Sequence, residues 1–229
     1  AIVVASCAQL KNEVEAAAAG DTAEQLVLEL GGADPIVCRD NIYIPPSQAV
    51  RIEGAGRTGK TKVLLDAKAI YEGDGRDNVG NLFTTWGDLE LHNLEFNFDP
   101  EANSTTKMGA YGTRIVQNYG NAVVTDCSFV GSQSAADQKY VLGQAVKSDE
   151  TENTTPSCSI KGLTYDNRSP SQSVIRASGG PMSVEDSSFV MGSDAVTSQN
   201  FGTRAFVIYC GHKVELTVSR CRFSSGGNV

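Results

Sequence analysis

Apolar residues recur along this chain at two periods, a helical one first and a strand-like one from Leu26 onward. Leu10, Val14, Ala17 and Ala18 fall on one helical face. Ser6-Cys7-Ala8-Gln9 has the form of a capping box, in which a serine hydroxyl and a glutamine amide satisfy exposed backbone N–H groups. Gly20 ends the run. A short amphipathic helix is therefore predicted over Cys7–Gly20, after an edge strand, Ala1–Ala5, which we read as part of a mature chain rather than a signal-peptide remnant. Beyond it, Leu26, Leu28 and Leu30 alternate with other residues, as do Ile42 and Ile44, Val50 and Ile52, and Val63 and Leu65. Gly, Pro, Asp and Asn separate these brief runs, which is the grammar of strands and turns.

Five aromatic residues, Phe96, Phe129, Tyr165, Phe189 and Phe223, set the phase of a repeat. Five positions before each stand Leu91, Val124, Ile160, Val184 and Val218, and seven before stand Leu89, Ala122, Cys158, Met182 and Leu216. Three before are Asn93, Asp126, Gly162, Asp186 and Arg220, read as a polar bend whose Asx side chains bond their own backbone. Nine before, three units carry Gly87, Gly120 and Gly180. A further strand precedes most units, as in Leu82-Phe83, Ile115-Val116, Val174-Ile175 and Val207-Ile208. The aromatics are 33, 36, 24 and 34 residues apart, so loops of variable length interrupt a coil of constant internal phase.

One such coil cannot bury its apolar face alone. Stacking coils about 4.8 Å apart pairs each strand with its equivalents above and below. The expected fold is all-β, a right-handed parallel β-helix with an N-terminal capping α-helix that covers one open end. It forms one domain over residues 1–229, with strand and cap helix in 1–20 and coils with inserted loops in 21–229. An antiparallel sandwich also has many short strands, but it gives no reason for one unit to recur in phase.

On these units, and on Val50-Arg51-Ile52-Glu53-Gly54, the chain resembles the pectin-lyase-like superfamily of right-handed β-helix proteins along nearly its whole length. The resemblance is to a fold pattern. It implies a range of roles, among them pectate lyases, polygalacturonases, alginate-modifying enzymes, phage tailspikes and noncatalytic surface proteins.

Composition narrows the partners. A net charge of -8 argues against nucleic acid, and against an anionic polysaccharide unless a basic groove offsets it locally. No apolar run is long enough to cross a bilayer. The six cysteines, Cys7, Cys38, Cys127, Cys158, Cys210 and Cys221, form no Cys-x-x-Cys pair, and with only His92 and His212 beside them no metal site is expected. They read as disulfide candidates. Six cysteines allow 15 pairings, so the connectivity stays open: Cys7 with Cys38 could staple the cap to the first coil, Cys210 with Cys221 could cross one coil, and Cys127 with Cys158 are then left. Sequons at Asn103, Asn153 and Asn167 mark N-glycosylation sites in turn-like stretches and, with the even cysteine count, point to a secreted, extracellular or cell-surface protein.

Gly54-Ala55-Gly56-Arg57-Thr58-Gly59-Lys60-Thr61 matches the phosphate-binding loop pattern, but Lys62-Val63-Leu64-Leu65 after it reads as a strand where that mechanism needs a helix. A glycine-rich bend is the plainer reading, with nucleotide binding its weaker alternative. Asp126 and Asp186 share a bend phase and read as turn residues; Gly211-His212-Lys213 lacks the Asp-Asp strand of polygalacturonases, and the calcium aspartates of pectate lyases are not recognisable. No catalytic residue and no cofactor is therefore assigned. Tyr111-Gly112-Thr113-Arg114 echoes Phe201-Gly202-Thr203-Arg204, and the aromatic and arginine of each could hold a sugar ring and its acid, or simply start a strand. After Phe223 the chain runs Ser224-Ser225-Gly226-Gly227-Asn228-Val229 without a second capping helix, so assembly with other subunits or with itself is expected at that end. The function expected is a noncatalytic structural or adhesive protein of an extracellular assembly, the alternative a polysaccharide lyase, hydrolase or epimerase.

Overall fold

A computed structural model of the chain describes residues 1–20, 24–31, 35–56, 59–66, 69–70, 80–98, 114–130, 145–167, 174–191 and 207–225. The chain opens with β1 (Ile2–Val4), α1 (Cys7–Ala19), β2 (Leu26–Leu30) and β3 (Ile36–Cys38). Triplets follow: β4 (Ile42–Ile44), β5 (Ala49–Gly54), β6 (Thr61–Leu65), then β7 (Asn81–Thr85), β8 (Asp88–His92), β9 (Leu94–Phe98). Next come β10 (Arg114–Asn118), β11 (Asn121–Thr125), β12 (Ser128–Val130), and β13 (Val146–Ser148), β14 (Ser157–Lys161), β15 (Thr164–Asn167). In the last two coils the first two strands merge, as β16 (Ile175–Glu185) with β17 (Ser188–Met191), and β18 (Ile208–Ser219) with β19 (Arg222–Ser225).

Strands of equal rank pair in parallel and define three faces. Face A holds β4, β7, β10, β13 and the first parts of β16 and β18; face B holds β1, β2, β5, β8, β11, β14 and the second parts of β16 and β18. Face C holds β3, β6, β9, β12, β15, β17 and β19. Faces A and B form one curled sheet, because β16 runs through both: Ile175 pairs with Val146 on A, and Val184 with Ile160 on B. The chain visits A, B and C in constant order. Among the described elements, that is a mostly β, all-parallel architecture with one short helix, α1, consistent with an all-β solenoid.

The ladders follow the sequence phase. On face C, Phe96 pairs with Phe129, Phe129 with Tyr165, Tyr165 with Phe189 and Phe189 with Phe223, and Ile36 and Val63 extend the column. Phe96 and Phe129 stack with centroids 5.2 Å apart. The first four aromatics are buried. In the last described coil the equivalent positions are open, with Leu216 42%, Val218 41% and Phe223 51% exposed.

The polar bend differs from expectation in its hydrogen bonds. Asn93, Asp126, Gly162, Asp186 and Arg220 all have φ between 51° and 66°, the left-handed conformation that turns the chain from face B to face C. Asx side chains tolerate that region, which is why the phase is polar. Their backbone N–H groups bond the neighbouring coil, Asn93 donating to the Thr125 carbonyl, Asp126 to Lys161, Gly162 to Glu185 and Asp186 to Ser219. The side chains of Asn93 and Asp186 also reach across coils, to the Gly54 and Gly56 carbonyls and to Arg220, rather than to their own turn. At the opposite corner, a Cβ on Gly120 would lie 2.3 Å from the Gly87 carbonyl oxygen, so that phase admits glycine because successive coils touch through backbone.

Helix α1 packs on β3 and β4 and buries Cys7, Leu10 and Val14. Ala18, expected on the buried face, is exposed. The Gln9 amide donates to the Ser6 hydroxyl (3.1 Å), and the Gln9 side-chain oxygen accepts from Ala5, one residue earlier than in the standard box.

Candidate functional site on face A

Alternation along the face A strands turns every second side chain away from the core. Ile42 and Ile44 point inward and are fully buried, while Tyr43 between them is 47% exposed. Register then places Tyr43, Thr84, Gln117, Lys147, Arg176 and Tyr209 in one column, one residue per coil. The positions two before, Leu82, Ile115, Ala145 and Val174, are apolar and fully buried. On the other side a second column stands at the A-to-B corner. There Trp86, Tyr119 and Asp149 each donate a backbone N–H to the preceding coil, to Ile44, Thr85 and Asn118. Trp86 and Tyr119 stack with centroids 4.5 Å apart.

A charged network crosses the middle of these columns. Arg114 Nη1 donates to Gln117 Oε1 (2.9 Å), and Gln117 Nε2 donates to Asp149 Oδ2 (3.0 Å). Lys147 Nζ pairs with the same Asp149 oxygen, and Lys213 pairs with Glu150 at 3.1 Å. Burial pushes the Lys147 amine below its ordinary pKa, assisted by Arg114 and Arg176 and opposed by Asp149. The Arg176 guanidinium lies 5.5 Å from the centre of the Tyr209 ring. In this acidic chain the cations Arg114, Lys147, Arg176 and Lys213 outnumber the carboxylates Asp149 and Glu150, both already engaged. The face offers hydrogen-bond donors and ring surfaces.

Residues 71–79, 99–113, 131–144, 168–173 and 192–206 all join a face C strand, or its coil, to the next face A strand.

The residues singled out in the sequence fall as follows. Arg114 lies in β10, is 8% exposed and is turned onto Gln117. Tyr111, Phe201, Arg204 and Asn103 lie outside the described residues. Asn153 is exposed in a turn held by Thr151 and Thr154, and Asn167 ends β15. Cys7 and Cys38 are joined as expected. The other two pairings are corrected, since Cys127, Cys158, Cys210 and Cys221 are free thiols. Cys210 and Cys221 are separated by most of the length of β18, and Cys127 and Cys158 differ by five positions in repeat phase, whereas a disulfide needs Cα atoms roughly 4.4–6.8 Å apart. Lys60 is followed directly by strand β6, so no helix dipole faces the Gly54–Thr61 loop; Asn93 Nδ2 instead donates to the Gly54 and Gly56 carbonyls. No group of three metal-ligating side chains occurs among the described residues, and no described helix is long and apolar enough to cross a membrane.

No family model matches the chain, and no curated protein matches it. Among solved structures it is similar to the crystal structure of Escherichia coli YbhC, with a TM-score of 0.61 and 12% identity. The match covers 99% of this chain and 64% of that one, so the chain spans less than two thirds of YbhC's length. At that identity the likeness is one of fold.

Proposed function

We propose that this chain is a secreted, right-handed parallel β-helix of the pectin-lyase-like kind that acts as a noncatalytic adhesive or structural module, with face A turned toward glycan. The handedness rests on the general rule that parallel crossovers within one sheet are right-handed in about 98% of cases. The extracellular location draws support from the sequons and from the Cys7–Cys38 bond. The observation that carries the functional reading is the face A column, where exposed Tyr43 and Tyr209 stand at the two ends and Arg176, also exposed, supplies a cationic donor. Stacking surface next to fixed donors is what a sugar chain needs. The open apolar residues Leu216, Val218 and Phe223 add assembly to the proposal, because covering them, by further chain or by another subunit, is favourable.

The experiment is a glycan panel read twice, once for binding and once for release of fragments, with calcium present. Retention of a glycan without fragments is expected. A second reading, a polysaccharide lyase, hydrolase or epimerase, is favoured by Asp149 standing beside Lys147 on this face, a carboxylate and an amine within reach of one another. Cleavage that disappears in Asp149→Asn would overturn the noncatalytic reading in its favour.

A further inference from the structure

Among the described strands, β18 pairs with β16 alone and so leaves one edge of face B free. Its face B stretch, Lys213–Ser219, lies opposite Gly179–Glu185. The Asp186 backbone N–H donates to the Ser219 carbonyl. Backbone groups alternate in direction along a strand. Glu215, Thr217 and Ser219 therefore turn theirs to β16, and Val214, Leu216 and Val218 turn theirs to the free edge. The same three residues carry inward side chains, in register with Gly180, Met182 and Val184. Met182 and Val184 are buried, whereas Leu216, Val218 and the neighbouring Phe223 are open. Val214-Glu215-Leu216-Thr217-Val218 reads apolar, polar, apolar, polar, apolar from either end, and Leu216 is the middle residue of Lys213–Ser219. Such a strand complements its own antiparallel copy. Pairing about Leu216 sets Leu216 on Leu216, Val214 on Val218, Lys213 opposite Ser219 and Glu215 opposite Thr217. No like charges stand opposite one another in that register. At the other end of the stack α1 covers the core and turns Asn12 and Glu15 outward, so a head-to-tail contact would set the open apolar coil on polar side chains.

Resting on the reading that the open coil is a place of assembly, we propose that its occupant is a second copy of this chain. The two copies join by antiparallel pairing of β18 with its counterpart across a two-fold axis at Leu216. The free N–H and C=O groups of Val214, Leu216 and Val218 are satisfied between copies, and face B continues from one solenoid into the other. Faces A and C flank face B, so the rotation sets face A of one copy against face C of the other, and Phe223 comes under the other copy's Ile208. Both copies use the same patch, so assembly closes at the dimer.

The test is analytical ultracentrifugation of the intact chain over a wide range of concentration. The mass should pass from one chain to twice that value and go no higher. Leu216→Glu brings two like charges together at the axis and should return the mass to that of one chain; the position is open, and circular dichroism checks that the variant folds. The register is read by cross-linking in a background of Cys210→Ser and Cys221→Ser. Leu216→Cys should form a dimer on mild oxidation, bridged at position 216 of both copies in peptide maps. Residues opposite in a hydrogen-bonded antiparallel pair have Cα atoms about 5.5 Å apart, within reach of a disulfide. Val214→Cys and Val218→Cys should cross-link when mixed and stay uncrosslinked when alone. A mass that keeps growing with concentration, a dimer that survives in folded Leu216→Glu, or bridges in another register overturns the proposal while leaving assembly standing. The mass of one chain at every concentration overturns it too, and takes self-assembly out of the proposed function. Neither result touches the reading of face A.

Discussion

Cys7 in α1 and Cys38 in β3 are joined by a disulfide that closes 31 residues of chain. The bond ties the cap helix to the first strand of face C, next to the packing of Leu10 and Val14. A loop of this length confers roughly 3–4 kcal/mol in the chain-entropy account. Cys7→Ser with Cys38→Ser should therefore lower the denaturant midpoint by that amount divided by the m-value. An unchanged midpoint would show that α1 holds by packing alone.

The buried thiols behave differently from the half-buried ones. Burial pushes Cys127 up to about 11 and Cys158 up to about 12, so almost none of either is thiolate at neutral pH. Cys210 is also raised by burial, but both it and Cys221 are only partly buried. Native protein treated with iodoacetamide near pH 8 should be modified at Cys210 and Cys221 first. Cys127 and Cys158 should react only after denaturation, as peptide mapping would reveal.

Contact between coils through backbone makes one corner intolerant. Alanine at Gly180 would place its Cβ 1.9 Å from the Pro156 carbonyl oxygen, at φ +77°. The conformation alone costs about 1–3 kcal/mol, and the clash adds to it. Gly59→Ala, whose Cβ meets nothing within 4 Å, is the control and should lie within about 0.5 kcal/mol of the parent chain. Urea unfolding of the two variants separates the effects.

The bend pair Asp186 and Arg220 supplies a pH signature. Hydrogen bonds from Arg220 hold the Asp186 carboxyl below the ordinary aspartate range. A depressed carboxyl contributes stability above its unfolded pKa, roughly 3.9, and loses it as pH falls through the folded value. Asp186 should thus titrate late in an acid NMR titration and return toward the ordinary value in Arg220→Gln. Since both groups are exposed, the gain in stability is small and screened by salt.

What the sequence made legible depended on distance from the loops. From β8 onward, faces B and C are joined by a tight bend centred on Asn93, Asp126, Gly162, Asp186 and Arg220, so their positions kept constant phase with Phe96, Phe129, Tyr165, Phe189 and Phe223. The column Gln117, Lys147 and Arg176 lies beyond connections of unequal length, which erased its phase. A signal existed in the outward middle residue of Val146-Lys147-Ser148 and Ile175-Arg176-Ala177, visible once the apolar flanks are aligned. The Cys7–Cys38 pairing was legible because each neighbours a predicted element end; the other thiols needed the three-dimensional path of β18 and β14 to be seen apart.

The unequal lengths of chain between each face C strand and the next face A strand have a consequence for change over time. Each enters and leaves the solenoid between strands already registered on their neighbours, and the cost of lengthening a flexible loop grows only logarithmically. Residues can thus be gained or lost between one face C strand and the next face A strand while the Phe129 and Val124 ladders remain untouched. The scaffold is a fixed ruler with an editable margin, and foreign peptides grafted into the 131–144 segment should be carried without disturbing the fold.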